Sequence, residues 1–336
     1  MIRVIRVIRG RIWLRVIHAF VYPAPQMKPN GKATSVSIRV ANAPCSWGVL
    51  EFDLPGKALG YAQVLDEIKD TGYTGTELGD WGFMPTEPAT LRRELEARSL
   101  ALLGAFVPVA FAQEATHADG EARAVKTARL MADAVGSHPF IVLADDNGKD
   151  ATRTKLAGRI EPAHSLSPGL WEIFSAGVSR IAEAVRRQTG LRTVFHHHCA
   201  GFVEAPWEIE QLMKTTDPSL VGLCFDTGHY RFGGGGDPLP VFRKFKDRIW
   251  HVHFKDCSPD VHTQSRANQW NYFESLQHGI FCELGKGGID FKAFADELRQ
   301  EKYPGWIVVE QDVLPGMGAP KEYARRNREF LKTCGL

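Results

Sequence analysis

LVGLCFDTGH, residues 220–229, is a short apolar run that ends on a carboxylate, Asp226, with an imidazole, His229, three residues beyond it. Short apolar runs recur along the chain in VSIRVANAP (36–44), YTGTELG (73–79), LALLGAFVPV (100–109), FIVLADD (140–146), LRTVFHHH (191–198), RIWHVHFKD (248–256) and GWIVVEQD (305–312). Between these runs lie stretches such as YAQVLDEIKDTG (61–72), EARAVKTARLMADAVG (121–136), LWEIFSAGVSRIAEAVRRQ (170–188) and FKAFADELRQE (291–301). Their apolar residues recur three and four apart, the period of an amphipathic helix. Strand then helix, repeated eight times, implies parallel strands joined by right-handed crossovers. Eight units over residues 36–336 predict one α/β domain, a (β/α)8 TIM barrel. An open doubly wound sheet would show a Gly-rich phosphate loop after an early strand, and the sequence has none. Residues 257–289 form a long insertion after the seventh run, of a length that usually carries function or structure of its own.

The polar residues are not scattered. Glu77 ends the second run, Asp145 and Asp146 the fourth, His196, His197 and His198 the fifth, and Asp226 the sixth. His251, His253, Lys255 and Asp256 end the seventh, and Glu310 and Asp312 the eighth. In a (β/α)8 barrel these strand ends converge on the one face where active sites are built. Side chains alternate across a strand, so His196 and His198 share a face while His197 points away, and His251, His253 and Lys255 share a face. His196, Asp226, His253 and Glu310, one from each of the last four runs, form a candidate metal set. Nitrogen and oxygen donors of this kind suit Mn2+ or Co2+, with Zn2+, Mg2+ and Fe2+ also compatible. Lys255, His198 and Glu77 are candidate acid–base groups, and His229, Asp256, Trp47 and Trp81 candidate substrate contacts. Both tryptophans lie among glycines just past a strand end.

Bulk properties narrow the function. The 336-residue chain is 44% hydrophobic and 24% charged, with a formal net charge of +2. Near-neutrality gives no sign of a nucleic-acid or membrane partner. No run of eighteen apolar residues appears, so no transmembrane helix is expected. The six cysteines form no C-x-x-C pair and read as reduced thiols of a cytoplasmic protein. Residues 1–35 differ from the rest. They hold Arg3, Arg6, Arg9, Arg11 and Arg15 and no acid, and the first acidic residue is Glu51. This basic stretch resembles a transit peptide in composition but is poor in serine. It reads as a disordered or non-native extension ahead of a start at Met27, outside the fold.

HHH (196–198), DTGH (226–229), HVHFKD (251–256), ELGKGGIDF (283–291) and GWIVVEQD (305–312), with GYTGTELG (72–79) and APCSWG (43–48), together resemble the xylose-isomerase-like barrel superfamily. Within it the chain is similar to the inosose dehydratase group over about residues 40–330. The resemblance implies one divalent metal held by a residue from each of four consecutive strands. It carries over to Asp226, His253 and Glu310. The strand-five ligand, commonly Glu in the superfamily, falls within the His triplet, at His196 or His198. The implied activity is a metal-dependent lyase. It removes water from an inosose-like polyhydroxy ketone through a metal-stabilised enediolate, as in inositol catabolism. The alternative is a sugar isomerase or epimerase of the same superfamily, against which the missing strand-five Glu argues. Two further readings are weaker: cleavage at abasic DNA, which needs a basic face, and a catalytically dead binding barrel. Dimers and tetramers are common in the family, so a homo-oligomer is also implied. Cys199–Phe202 after the triplet, and VLEFDLPG after APCSWG, depart from the dehydratase pattern near the pocket.

Overall fold

The computed structural model describes residues 38–50, 52 and 59–336, together with the backbone of two short strands, Val7–Ile8 and Arg11–Ile12. Those two strands pair antiparallel within a unit, Met1–Ser35, separate from the unit Val36–Leu336. The expectation of a disordered extension over 1–35 otherwise falls outside the described residues.

Within the larger unit, nine parallel strands follow the predicted runs: β1 Arg39–Asn42, β2 Gly75–Thr76, β3 Ala101–Leu102, β4 Gly104–Val109, β5 Phe140–Asp145, β6 Arg192–His196, β7 Val221–Asp226, β8 Ile249–Phe254 and β9 Trp306–Val309. Their order in the sheet is β3-β2-β1-β9-β8-β7-β6-β5-β4. The two ends of this sheet, β3 and β4, are one predicted run broken at Leu103. Leu103 donates its N–H to the Thr76 carbonyl and accepts from the Phe140 N–H, so it joins both edges and closes the barrel. Closure leaves no open sheet edge. The run at 73–79 yields only the two-residue strand β2, although beyond it the Leu78 N–H still donates to the Gly104 carbonyl. Every residue of β7 is buried, as a strand covered on both faces requires.

Period-two alternation fills the interior in layers. At the N-terminal mouth the Arg39 guanidinium lies 4.2 Å above the Trp306 ring, and that of Arg192 lies 3.6 Å above the Trp250 ring. Trp250 occupies an irregularity in the β8–β7 register, and its ring fills the space above Gly222, where a Cβ would meet it at 2.3 Å. Above come apolar Ala41, Leu103, Val142, Val194, Cys224 and Val308. The top layer is polar: Glu77, His196, Asp226, His253 and Glu310.

The helices form the outer ring. α5, Pro168–Thr189, starts where Ser167 accepts from the Leu170 N–H and Pro168 presets the first turn. It ends at Gly190, whose φ of 76° suits glycine. Its buried face, Trp171, Phe174, Val178, Ile181 and Val185, follows the three–four spacing and packs on α3, His117–Val135. The two helices approach closely because Gly177 leaves room for the His117 ring, which a Cβ there would meet at 2.5 Å. The insertion 257–289 carries its own structure: α9 (Pro259–Asn268), α10 (Tyr272–Gln277), and an antiparallel pair of Asp256–Cys257 with Phe281–Cys282.

Candidate metal centre and active-site pocket

Asp226 ends β7 and caps α7, Thr227–Phe232. Its Oδ1 accepts from the His229 N–H at 2.7 Å. That use fixes the carboxylate and leaves Oδ2 pointing into the barrel mouth. There it lies 3.6 Å from His196 Nε2 and 3.8 Å from His253 Nδ1. His253 Nδ1 is 3.2 Å from Glu310 Oε2. The donor atoms of His196, Asp226, His253 and Glu310 all lie within 4.8 Å of one another, and all four residues are buried. Both ring nitrogens of His196, Oδ2 of Asp226 and Nδ1 of His253 have no hydrogen-bond partner. Buried polar atoms without partners are costly, and three of these, His196 Nε2, Asp226 Oδ2 and His253 Nδ1, face one another as a cation site requires. The donor set therefore fits a divalent ion.

Glu77 meets this set from behind. Its Oε1 accepts from His253 Nε2 at 3.1 Å and from His251 Nε2 at 2.6 Å. The Nε2–H bond turns the His253 ring so that Nδ1 faces Asp226 and Glu310, the carboxylate–histidine arrangement that orients metal ligands. Burial opposes charge on Glu77, but His253 and His251 outweigh it and lower its pKa to about 2.

Lys255 lies across the centre from Glu77. Its Nζ bonds both oxygens of Asp312 at 2.9 and 2.8 Å and lies 3.1 Å from Glu310 Oε2 and 3.4 Å from Asp226 Oδ2. Gly228 permits this path, since a Cβ there would meet Lys255 Cγ at 2.6 Å. Lys255 is one of the candidate acid–base groups, and a base there would need a lowered pKa. Burial does act downward, but Asp226, Asp312 and Glu310 outweigh it and raise the lysine well above its ordinary value. Lys255 is a held cation. Asp312 was visible in the sequence as a strand-end acid on the same face as Glu310, yet nothing there showed it clamping the lysine.

His198 lines the pocket. Its Nδ1 lies 2.5 Å from the Cys199 carbonyl and so carries the proton, leaving Nε2 as the acceptor, 3.4 Å from the Tyr272 hydroxyl. Burial pushes its pKa well down, so the ring is neutral. His197 points the other way, as alternation requires, and accepts the Asp226 N–H at 3.1 Å.

The pocket above the centre is lined by Glu77, Asp80, Phe106, His196, His198, His253, Lys255, Glu310 and Asp312, with Cys45 and Val49 at its rim. Asp80 went unnoticed in the sequence because it lies in a loop beyond the strand end. None of the four expected substrate contacts, Trp47, Asp256, His229 and Trp81, is part of this pocket's lining. Trp47 is buried in the core, its indole N–H donating to Glu67 Oε2 at 2.7 Å. Asp256 is fully buried and accepts from the backbone N–H groups of Cys257, Gly285, Gly287 and Ile289, tying down the insertion. His229 is fully buried behind Lys255, with Nε2 3.0 Å from Nζ. Trp81 stands outside this pocket, in an adjoining cleft. In each case strand-end position was the right clue to the face of the barrel but did not give the side chain's direction. No helix among the described residues is long and apolar enough to cross a membrane.

The chain is similar to several known proteins. An inosose dehydratase from Lacticaseibacillus casei is 31% identical over 296 residues, spanning 88% of this chain and 96% of that protein. One from Salmonella typhimurium is 31% identical over 295 residues, spanning 88% and 95%. Among solved structures, the probable 3-DHS dehydratase of petrobactin synthesis from Bacillus anthracis superposes with a TM-score of 0.65 at 14% identity, over 88% of this chain and 99% of that one. The 3-keto-D-glucoside 4-epimerase from E. coli gives 0.62 at 17% identity, over 89% and 100%. The fold is shared with both. Residues 65–334 match the family described as xylose isomerase-like TIM barrel. The chain belongs to that family and, within it, to the group similar in sequence to the inosose dehydratases.

Proposed function

We propose that the protein is a metal-dependent hydro-lyase that removes water from an inosose-like polyhydroxy ketone. The observation that carries this reading is a buried set of two histidines and two carboxylates in which each of three residues turns an unpartnered atom inward, beneath a pocket also lined by a cationic lysine and a neutral histidine. Relatives matched almost end to end and named inosose dehydratases support the substrate class. His196, Asp226, His253 and Glu310 would hold the ion. A divalent cation such as Mn2+ or Co2+ would there supply Lewis acidity, polarising a ketone oxygen and acidifying the adjacent C–H.

The chain's own groups do the rest. His198 accepts the carbon-bound proton at Nε2, its tautomer set by the Cys199 carbonyl. The electrons of that C–H bond form the new double bond as the neighbouring C–O bond breaks. Lys255, held in place by both oxygens of Asp312, gives the leaving hydroxyl the proton it needs to depart as water. Exchange with solvent then returns both groups to their starting states. Glu77 acts through His253 rather than on the substrate. The six free thiols suit a reducing cytoplasm.

The test is to follow 2-keto-myo-inositol by NMR with tag-free protein, with added Mn2+ or Co2+ and with chelator. Chelator-sensitive conversion to a diketone is the expected result. Epimer formation from ketohexoses without water loss would move the protein to the isomerases and epimerases. Turnover of neither kind would sink both readings.

A further inference from the structure

Trp81 is one of two large apolar side chains that the described residues leave exposed, at 41%. It lies just past β2, between Gly79 and Gly82, both with positive φ, so the loop presents the ring rather than tucking it inward. The ring walls a cleft of about 350 Å³ together with Asp80, Phe106, Val107, Pro108, Arg123 and Lys126. Asp80 and Phe106 line this cleft and the pocket over the candidate metal centre alike, so the two spaces adjoin. The pocket itself holds only about 60 Å³ by the same measure.

Three features give the cleft a chemical character. Lys126 Nζ lies 4.0 Å from the Trp81 ring centroid, held over one face and without an acidic partner among the described residues. Arg123 is already paired with Asp119 at 3.0 Å and donates to the Pro108 carbonyl. Asp80, at the junction, has a carboxylate that pairs with no cation or hydrogen-bond donor among the described residues, and burial raises its pKa. An aromatic face beside an unpaired carboxylate and an ammonium suits a neutral polyol ring. The C–H face packs on indole, and hydroxyls donate to the acid and accept from the amine. A phosphate or carboxylate fits poorly, because Asp80 would repel it and Arg123 is engaged.

We propose that this cleft is a second-ring subsite: the substrate, or a substrate of the same enzyme, carries an O-linked sugar on the keto ring, and that sugar rests on Trp81 and bonds Asp80. The inference rests on the polyhydroxy-ketone reading above and narrows its substrate class. Binding energy from a non-reacting ring of this kind can be spent on positioning the reacting one.

The experiment is calorimetric titration of the metal-loaded full chain with two unreactive probes, myo-inositol and galactinol, its O-galactosyl derivative. Wild type should bind galactinol about five- to ten-fold more tightly, the gain of one aromatic stacking contact. W81A should remove that preference while leaving myo-inositol affinity unchanged, W81F should keep part of it, and D80N should reduce it. Equal affinities in wild type, or a preference that survives W81A, would overturn the subsite. So would a W81A variant whose only change is its oligomeric state, which would make the tryptophan a contact between copies. Turnover of free inosose with no gain from the second ring would overturn the cleft and leave the dehydratase reading standing. A galactinol preference without any water loss from inososes would do the reverse.

Discussion

At the scale of single residues, the atom of each side chain that is already employed decides which atom is left for a metal. Asp226 spends Oδ1 on a helix cap and His253 spends Nε2 on Glu77, so only Oδ2 and Nδ1 are left for a metal. Glu77→Gln should therefore weaken Mn2+ or Co2+ binding about 10- to 100-fold, read by equilibrium dialysis, with little change in folding. Unchanged affinity would mean that Glu77 does not orient His253. Lys255→Met should leave the metal bound but cost about 10²–10⁴ in kcat, as removal of a proton donor does. Loss of metal together with activity would instead make Lys255 a structural counter-ion. The candidate metal set was legible in the sequence because strand ends and alternation fix where a residue sits and which way it faces. Asp256 and Trp47 show the limit of that logic. Both sit at the right end of a strand, yet one is drawn to the backbone N–H groups of Cys257, Gly285, Gly287 and Ile289 and the other to Glu67, and all of these partners but Cys257 come from distant segments that no local pattern reveals.

At the scale of elements, β6 shows how period two divides labour within a triplet. His196 and His198 face the centre, while His197 is buried among the outer packing and must be neutral there. Burial, with His196 adding to it, lowers its pKa to about 3. The unfolded chain takes up this proton near pH 6.5 and the folded chain does not, so the residue's stabilising contribution is present above that pH and is lost as pH falls toward 3. His197→Gln keeps an acceptor for the Asp226 N–H and removes the titration. Between pH 7 and pH 5 the wild type should lose about 2 kcal/mol more stability than the variant in urea denaturation. Parallel slopes would show that His197 is solvated. In β7, Gly222→Ala would drive a methyl into the Trp250 ring and should cost about 1–3 kcal/mol of stability by overpacking, with metal affinity intact. The broken third strand was not legible in LALLGAFVPV, because the break at Leu103 follows from the needs of both neighbouring strands rather than from its own residues.

At the scale of the whole molecule, the eight-fold strand–helix rhythm was the most legible feature, since each helix needs its apolar face against the sheet and each strand needs cover on both sides. The barrel follows, and with it a single rim on which residues from 77 to 312 meet. Residues far apart in sequence therefore share one small polar layer, closed below by apolar layers and by arginines stacked on tryptophans. The measurement that bears most directly on the account is metal content by elemental analysis after dialysis of tag-free protein against Mn2+ or Co2+, for wild type and Asp226→Asn. Wild type should hold about one ion per chain, and the variant, whose helix cap is preserved but whose ligand oxygen can be replaced by an amide, should lose most of it. A wild-type protein that takes up no metal, or a variant that binds it equally well, would contradict the metal centre and the mechanism built on it.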